Sequence, residues 1–198
     1  MNDYFLAKAN QSGGGQEDLD CLNIPKDLLQ IFKTAARKLD IPQIALVGGV
    51  VRDQLFFDIF QESLPAPKDI DIVIQGSAYE FAKTVQTEIG EDRAYILREN
   101  KCYKTVEMRI DEMSIDIATA RNEYYSSPAE NPEITTTDIK EDLQRRDFTV
   151  NAIAFDLINS KFIDPHKGRH ALHKRQLEFI HSNSVLEGPT RIIRGARY

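Results

Sequence analysis

The chain has 198 residues, 41% of them hydrophobic and 28% charged, with a formal net charge of −6. That suffices for one sizeable core, and no apolar run approaches the length of a membrane span. Residues 1–16 lack the basic-then-apolar build of a secretory signal, and Cys21 and Cys102 are too few for a disulfide framework, so a reducing cytoplasm is the simplest setting.

Residues 1–22 carry a Ser12-Gly13-Gly14-Gly15 run followed by acids and read as a flexible arm. Over 25–39 the apolar residues Leu28, Leu29, Ile31, Phe32, Ala35, Ala36 and Leu39 recur at helical spacing, with Pro25 suited to the first turn and Pro42 just past the end. This helix is expected to cover a sheet. The run Ile44-Ala45-Leu46-Val47 predicts a short buried strand, and Gly48-Gly49 then lets the backbone turn sharply into a helix over 50–60. Free amides and the helix dipole make such a junction suitable for phosphate. A proline-containing loop over 61–68 leads to Asp69-Ile70-Asp71-Ile72-Val73-Ile74, whose alternation places Asp69 and Asp71 on one face and the isoleucines on the other.

Two neighbouring carboxylates repel unless a cation lies between them. A divalent metal with oxygen ligands, magnesium above all, resolves that repulsion and bridges to phosphates. A bare Asp-x-Asp is also compatible with a solvated edge strand, and only the preceding Gly-Gly-Val-Val-Arg-Asp turns the balance.

Ser77 predicts the cap of a helix running to about Ile89, which Gly90 ends. Residues 94–97, 103–110 and 113–119 read as three strands, the last two joined by a turn at Asp111-Glu112. Asp116 alternates with Ile115 and Ile117 and therefore faces away from them. Residues 122–138 read as a polar loop without core-forming residues, and Asp138 as the cap of a helix through Leu143. Arg145-Arg146-Asp147 precedes an apolar segment over 148–155, in which Asn151 is costly unless it bonds something. Asp147 invites a second reading, as the partner of an arginine that pins the loop.

Phe162-Ile163-Asp164-Pro165 reads as a strand end and turn. His166, His170 and His173 follow at spacings that one helical face could display, but no acid or cysteine completes a zinc site. A cationic face near phosphate is the preferred reading. Residues 161–198 hold eight Lys/Arg against three acids, so an acidic part lies beside a basic one, as suits metal chemistry on a polyanion. Arg191, Arg194 and Arg197 form a ladder on one helical face, and guanidinium forks are built for bidentate acceptors such as phosphate.

Val47-Gly48-Gly49-x-Val51-Arg52-Asp53 with Asp69-Ile70-Asp71 resembles the head-domain signature of the class II tRNA nucleotidyltransferases, the CCA-adding enzymes that with bacterial poly(A) polymerases belong to the polymerase-β-like superfamily. The resemblance resumes at Arg145–Ala152 and Asp164-Pro165 and ends at Arg191-Ile192-Ile193-Arg194-Gly195-Ala196-Arg197. It implies an α/β head with a mostly antiparallel five-stranded sheet over 23–160, and the start of a helical neck over 161–198 that stops mid-helix.

The reaction it implies is template-independent addition of C and/or A to the 3′ end of tRNA from CTP or ATP, releasing pyrophosphate. Alternatives are a poly(A) polymerase, a CC-only or A-only enzyme, or a silent RNA-binding module. By the same resemblance Asp69 and Asp71 hold two Mg²⁺, and a third carboxylate arrives from a neighbouring strand, with Asp116 the first candidate and Glu107 the second. Gly48, Gly49 and Arg52 meet the triphosphate, Arg146 contacts the nucleotide, and Asp147 and Asn151 support it. Arg191, Arg194 and Arg197 belong to the neck motif, whose usual Glu-Asp-x-x-Arg pattern carries Gly188 at the Asp position in this chain.

Overall fold

The computed structural model describes residues 24–62, 67, 69–124, 132–181 and 190–196. The expected arm over 1–22, and Glu187, Gly188 and Arg197 of the terminal motif, lie outside the described residues.

A seven-stranded sheet in the order β3-β4-β5-β2-β1-β8-β9 forms the frame. Its strands are β1 (Ile44–Val47), β2 (Asp69–Ile74), β3 (Ala94–Asn100), β4 (Thr105–Ile110), β5 (Met113–Thr119), β8 (Ala154–Asp156) and β9 (Lys161–Ile163). Only the β2–β5 pair is parallel; the other five are antiparallel. The five strands expected from sequence therefore become seven, because β8 and β9 add a hairpin beyond β1. The largely apolar character of 148–155, broken only by Thr149 and Asn151, concealed it: Thr149–Asn151 is a 3₁₀ turn, and only the last three residues before Leu157 are strand. The buried Asp156 carboxylate shapes the hairpin turn by accepting the Ile158 and Asn159 amides at 2.9 and 3.0 Å. The sheet thus runs across the expected division at 160/161.

Three helices cover one face: α1 (Lys26–Lys38), α2 (Gly49–Phe60) and α3 (Ala78–Ile89). Pro25 begins α1, which ends at Leu39, while Asp40 turns left-handed at φ 50°. Ser77 caps α3 by accepting the Glu80 amide at 3.3 Å, and Gly90 stops it at φ 103°. Ile70, Ile72 and Ile74 point into this layer with Phe32 and Phe81, whose rings lie 6.1 Å apart. Desolvating side chains of this size supplies most of the drive to fold.

The opposite face carries a smaller cluster of Ala45, Val47, Val73 and Ala154 under Ile139 and Leu143. These last two come from α4 (Ile139–Asp142), capped by Asp138 as expected, and the 3₁₀ turn Leu143–Arg145 that follows. Because this cover is short, the face stays open at the end of the sheet where Asp69 and Asp71 emerge.

Residues 121–124 and 133–136 correct the reading of 122–138 as a loop. They pair as antiparallel strands β6 (Arg121–Tyr124) and β7 (Glu133–Thr136). Backbone bonds define this ribbon, and most of its side chains are polar, so no alternation of apolar residues marks it.

Residues 161–181 fold back on the sheet. Asp164 receives the Gly168 and Arg169 amides at 2.7 and 3.0 Å, holding the start of α5 (Gly168–His173). His166 precedes that helix, so the three histidines do not share one helical face. Gly168 packs directly on the turn that carries Asn151: an added Cβ would collide with the Thr149 carbonyl oxygen and come within 2.7 Å of Ile153 Cγ1. Gly168→Ala is therefore expected to cost about 1–3 kcal/mol as an overpacking change, read as a lowered urea midpoint at unchanged slope. An unaltered midpoint would show that α5 can move away freely.

Candidate active site

The strand-to-helix junction after β1 supplies the first wall of the site. Gly48 sits at φ 70° and ψ −136°, a conformation that side chains rarely adopt, and it places the α2 N-terminus without any side-chain cap. No acidic residue occupies the first turn of α2, so its amides face the cleft uncompensated. In antiparallel register Val47 lies opposite Asp71, which brings the Asp71 carboxylate against this turn. A Cβ on Gly48 would lie 2.9 Å from Asp71 Oδ2.

Burial raises the Asp71 carboxyl above the usual carboxylate range, Arg146 across the cleft opposes that rise, and the neighbouring Asp69 adds to it. A partly buried acid with a second acid two residues away on the same strand face is a donor set in search of positive charge. Asp69 and Asp71 are thus the residues that could hold a divalent cation, although no cluster of three or more metal-ligating side chains forms among the described residues. Asp116 stands directly beside Asp71 in the parallel β2–β5 register, and Glu107 beside Asp116 on β4. Burial again raises the Asp116 carboxyl, with Asp71 and Glu107 adding to the effect. Asp116 is exposed and borders the cleft rather than lining it.

The cleft has a volume of about 660 Å³, and Gly48, Gly49, Asp69, Asp71, Arg146 and Asn151 are among its lining residues. Arg52, Asp53, Asp147, Arg191 and Arg194 also line it, so every expected site residue that is described, save Asp116, meets in one place. A chain of polar contacts orders these groups. Arg52 binds Asp53 at 2.7 Å through Nε and donates from Nη1 to Asn151 Oδ1 at 2.8 Å. Asn151 Nδ2 in turn donates to Asp147 Oδ1 at 3.2 Å. The second oxygen of Asp147 pairs with Arg194 Nε at 3.0 Å, on helix α6 (Thr190–Gly195). Asn151 is thereby satisfied in its buried position, and Asp147 does pair with an arginine, as its second reading expected. Arg191 Nη2 donates to the Arg145 carbonyl at 2.9 Å.

Sequence reasoning missed two acids that support this wall. Asp142 is fully buried and accepts from Arg145 Nη2 at 2.8 Å and from the Arg121 amide at 3.1 Å. Glu123 pairs with Arg121 at 3.0 Å and Arg145 at 3.2 Å, and it lines the cleft. The i, i+3 and i, i+4 spacings from Asp142 to Arg145 and Arg146 were the available signal. Glu123 gave none, because its strand reads as loop.

Asp71→Asn removes the charge while keeping the shape. Since the folded protein holds the Asp71 carboxyl above its ordinary range, melting without divalent metal should occur at an equal or higher temperature in the variant, and any stabilisation by added divalent metal should vanish. A lower metal-free Tm would instead identify Asp71 as a structural anion for Arg146.

Residues 44–178 match the family model described as the poly A polymerase head domain. The chain is 33% identical over 189 residues to an A-adding tRNA nucleotidyltransferase of Halalkalibacterium halodurans, covering 91% of this chain and 42% of that one. It is 29% identical to a CC-adding tRNA nucleotidyltransferase of Deinococcus radiodurans, covering 87% and 44% of the two chains. Among solved structures, an apo form of a CCA-adding enzyme superimposes with a TM-score of 0.73 at 32% identity, over 88% of this chain and 40% of that chain. The chain thus spans less than half the length of these relatives. Nucleotidyltransferases of this family use divalent metal ions, which the paired acids of β2 fit. With the glycine turn, the two aspartates and the Arg-Arg-Asp segment brought into one cleft, the chain belongs to the poly A polymerase head-domain family of class II tRNA nucleotidyltransferases.

Proposed function

We propose that this protein adds C and/or A to the 3′ end of tRNA from CTP or ATP. The observation that carries the reading is the Asp71 carboxylate lodged against the Gly48 turn, with Asp69 beside it and Arg146 facing it. Acids that would hold a cation and a guanidinium that would hold a phosphate thus share one cleft. The names of the A-adding and CC-adding relatives support tRNA as the acceptor.

The RNA 3′-hydroxyl attacks the α-phosphate, a new phosphodiester bond forms, and pyrophosphate leaves as the hydroxyl proton is lost. Magnesium held by Asp69 and Asp71 would lower the pKa of the attacking hydroxyl and neutralise triphosphate charge. The free amides at the α2 N-terminus receive phosphate oxygens at Gly48 and Gly49. Arg146 offers a charged fork to the triphosphate, while Arg52 is fixed by Asp53 and Asn151 to close the same side. Asp116, next to Asp71 in the sheet, is the candidate third carboxylate, at the border of the cleft. Arg191 and Arg194 bring positive charge from α6 to the opposite rim. A cytoplasmic setting accompanies this reading, supported by the exposed, free Cys102. Among the described residues no helix is long and apolar enough to cross a membrane.

The test is incubation with tRNA transcripts ending before the first C, after CC and after CCA, with CTP or ATP supplied singly. One to three added residues support the reading and identify which are added, whereas a long tail from ATP alone would identify a poly(A) polymerase. Nucleotide binding with no addition to any transcript would leave a silent module. Arg146→Ala should raise the KM for the nucleotide about 10- to 150-fold, as loss of a charge-assisted bond of roughly 1.5–3 kcal/mol implies, with the KM for tRNA little changed. Early melting with unchanged nucleotide affinity would make Arg146 a brace instead.

A further inference from the structure

Two adjacent arginines line the cleft, and their surroundings differ. All three nitrogens of the Arg145 guanidinium are engaged: Nε and Nη2 donate to Asp142 Oδ1 at 3.0 and 2.8 Å, and Nη1 to Glu123 Oε1 at 3.2 Å. Nε also lies 3.2 Å from the Arg121 carbonyl. Arg146 has a single long contact, from Nη2 to Asp142 Oδ2 at 3.4 Å, and its buried Nε has no hydrogen-bond partner among the described residues. Three arginines (121, 145 and 146) thus share two carboxylates, Glu123 and Asp142, leaving one positive charge uncompensated within the group. The bonding shows where it resides: Arg145 is consumed by its neighbours and Arg146 is not.

Resting on the nucleotidyltransferase reading above, we propose that Asp142 is a positioning residue for nucleotide binding. Its Oδ1 immobilises Arg145 as a brace, and its Oδ2 aims the Arg146 fork into the cleft toward the triphosphate. The division follows from chemistry. A buried carboxylate has two faces; one is saturated by Arg145 and the Arg121 amide, and the other is offered to a single distant Nη. One long contact orients a guanidinium without satisfying it, so its remaining donors stay available for phosphate oxygens. Neither Asp142 nor its oxygens line the cleft, so the carboxylate acts through Arg146 rather than on the substrate.

The experiment is a double-mutant cycle on ATP and CTP binding in Mg²⁺, by titration calorimetry, using wild type, Asp142→Asn, Arg146→Ala and the double variant. The Asn carboxamide keeps its oxygen toward Arg145 and the Arg121 amide, and turns an NH₂ group against Arg146. Asp142→Asn should weaken nucleotide binding on the order of 10-fold, and the double variant should bind no more weakly than Arg146→Ala alone. Additive losses, or wild-type affinity in Asp142→Asn, overturn the positioning role. Absence of binding by the wild-type protein overturns the nucleotide reading and this proposal with it. Binding that is lost in Arg146→Ala but kept in Asp142→Asn overturns the positioning role alone. Should Asp142→Asn fail to fold, ¹⁵N-resolved exchange of the Arg146 guanidinium in the wild-type protein decides the matter. Restricted rotation about Nε–Cζ supports the proposal, and free rotation overturns it.

Discussion

The Asp71 carboxylate lies so close to the Gly48 backbone that a single methyl group added there would sit 2.9 Å from its Oδ2. That approach exists because β1 and β2 pair with Val47 opposite Asp71, and because Gly48 takes a conformation open to little else. Both are backbone constraints, fixed by the core beneath: Ile70, Ile72 and Ile74 hold the register of β2 by pointing into the helix-covered layer. A slip by one residue would exchange those isoleucines with the aspartates, at a cost of several buried side chains. The acid is thus forced into a partly buried position, where ionisation is costly and positive charge is in demand. The rest of the cleft supplies it, from an uncapped helix N-terminus and from arginines.

Those arginines are arranged in two series that meet in residues 145–151. One runs from Arg146 through Asp142 and Arg145 to Glu123 and Arg121, tying the cleft to the β6–β7 ribbon. The other runs from Asp53 through Arg52 and Asn151 to Asp147, tying the α2 helix to the same segment. Buried ionic networks of this kind are weak evidence for stability, since desolvation offsets much of their attraction. What they supply is position. An arginine with all three nitrogens bonded to its neighbours, such as Arg145, is held at the cleft wall, so the ligand meets one loosely held fork at Arg146.

The sequence made the local parts legible wherever a period and a cap agreed. The α3 helix could be placed because Ser77 and Gly90 bracket a clean apolar stripe, and Asp69 and Asp71 because strict alternation leaves them one face. Asp116 could be set opposite Ile115 and Ile117, and the parallel register then put it beside Asp71. The hairpin of β8 and β9 was hidden for the opposite reason. Residues 148–155 are apolar except at Thr149 and Asn151, and no glycine or proline marks where the 3₁₀ turn yields to strand. The β6–β7 ribbon failed to register because backbone bonds, not side-chain burial, define it. Glu123 and Asp142 went unnoticed with it: an acid that serves another side chain leaves a trace only in the distance between the two, and Glu123 lies 22 residues from Arg145.

The basic character of the last forty residues divides on the same principle. Arg175 is spent on Glu62 and on the rings of Phe56 and Phe60 and so fastens the segment to the head, while Arg169 lies over the Phe162 ring within the segment. Arg191 and Arg194 instead reach the cleft, and what carries them there is the 147–149 backbone. Thr149 donates to the Glu178 carbonyl at 2.9 Å, Phe148 stacks on Phe179 with ring centroids 4.7 Å apart, and Gly195 allows α6 to rest on the Phe148 ring. A side chain at residue 195 would press on that ring, with its Cβ 2.8 Å from Phe148 Cζ. The stretch that positions Asn151 and ends in the Arg146 fork therefore also seats the helix bearing Arg194. The contacts to α6 come from this one stretch: the Arg145 carbonyl to Arg191, the Asp147 carboxylate to Arg194 and the Phe148 ring to Gly195. The two rims of the cleft are thus joined through residues 145–148, although 48 residues separate Arg146 from Arg194 in the chain.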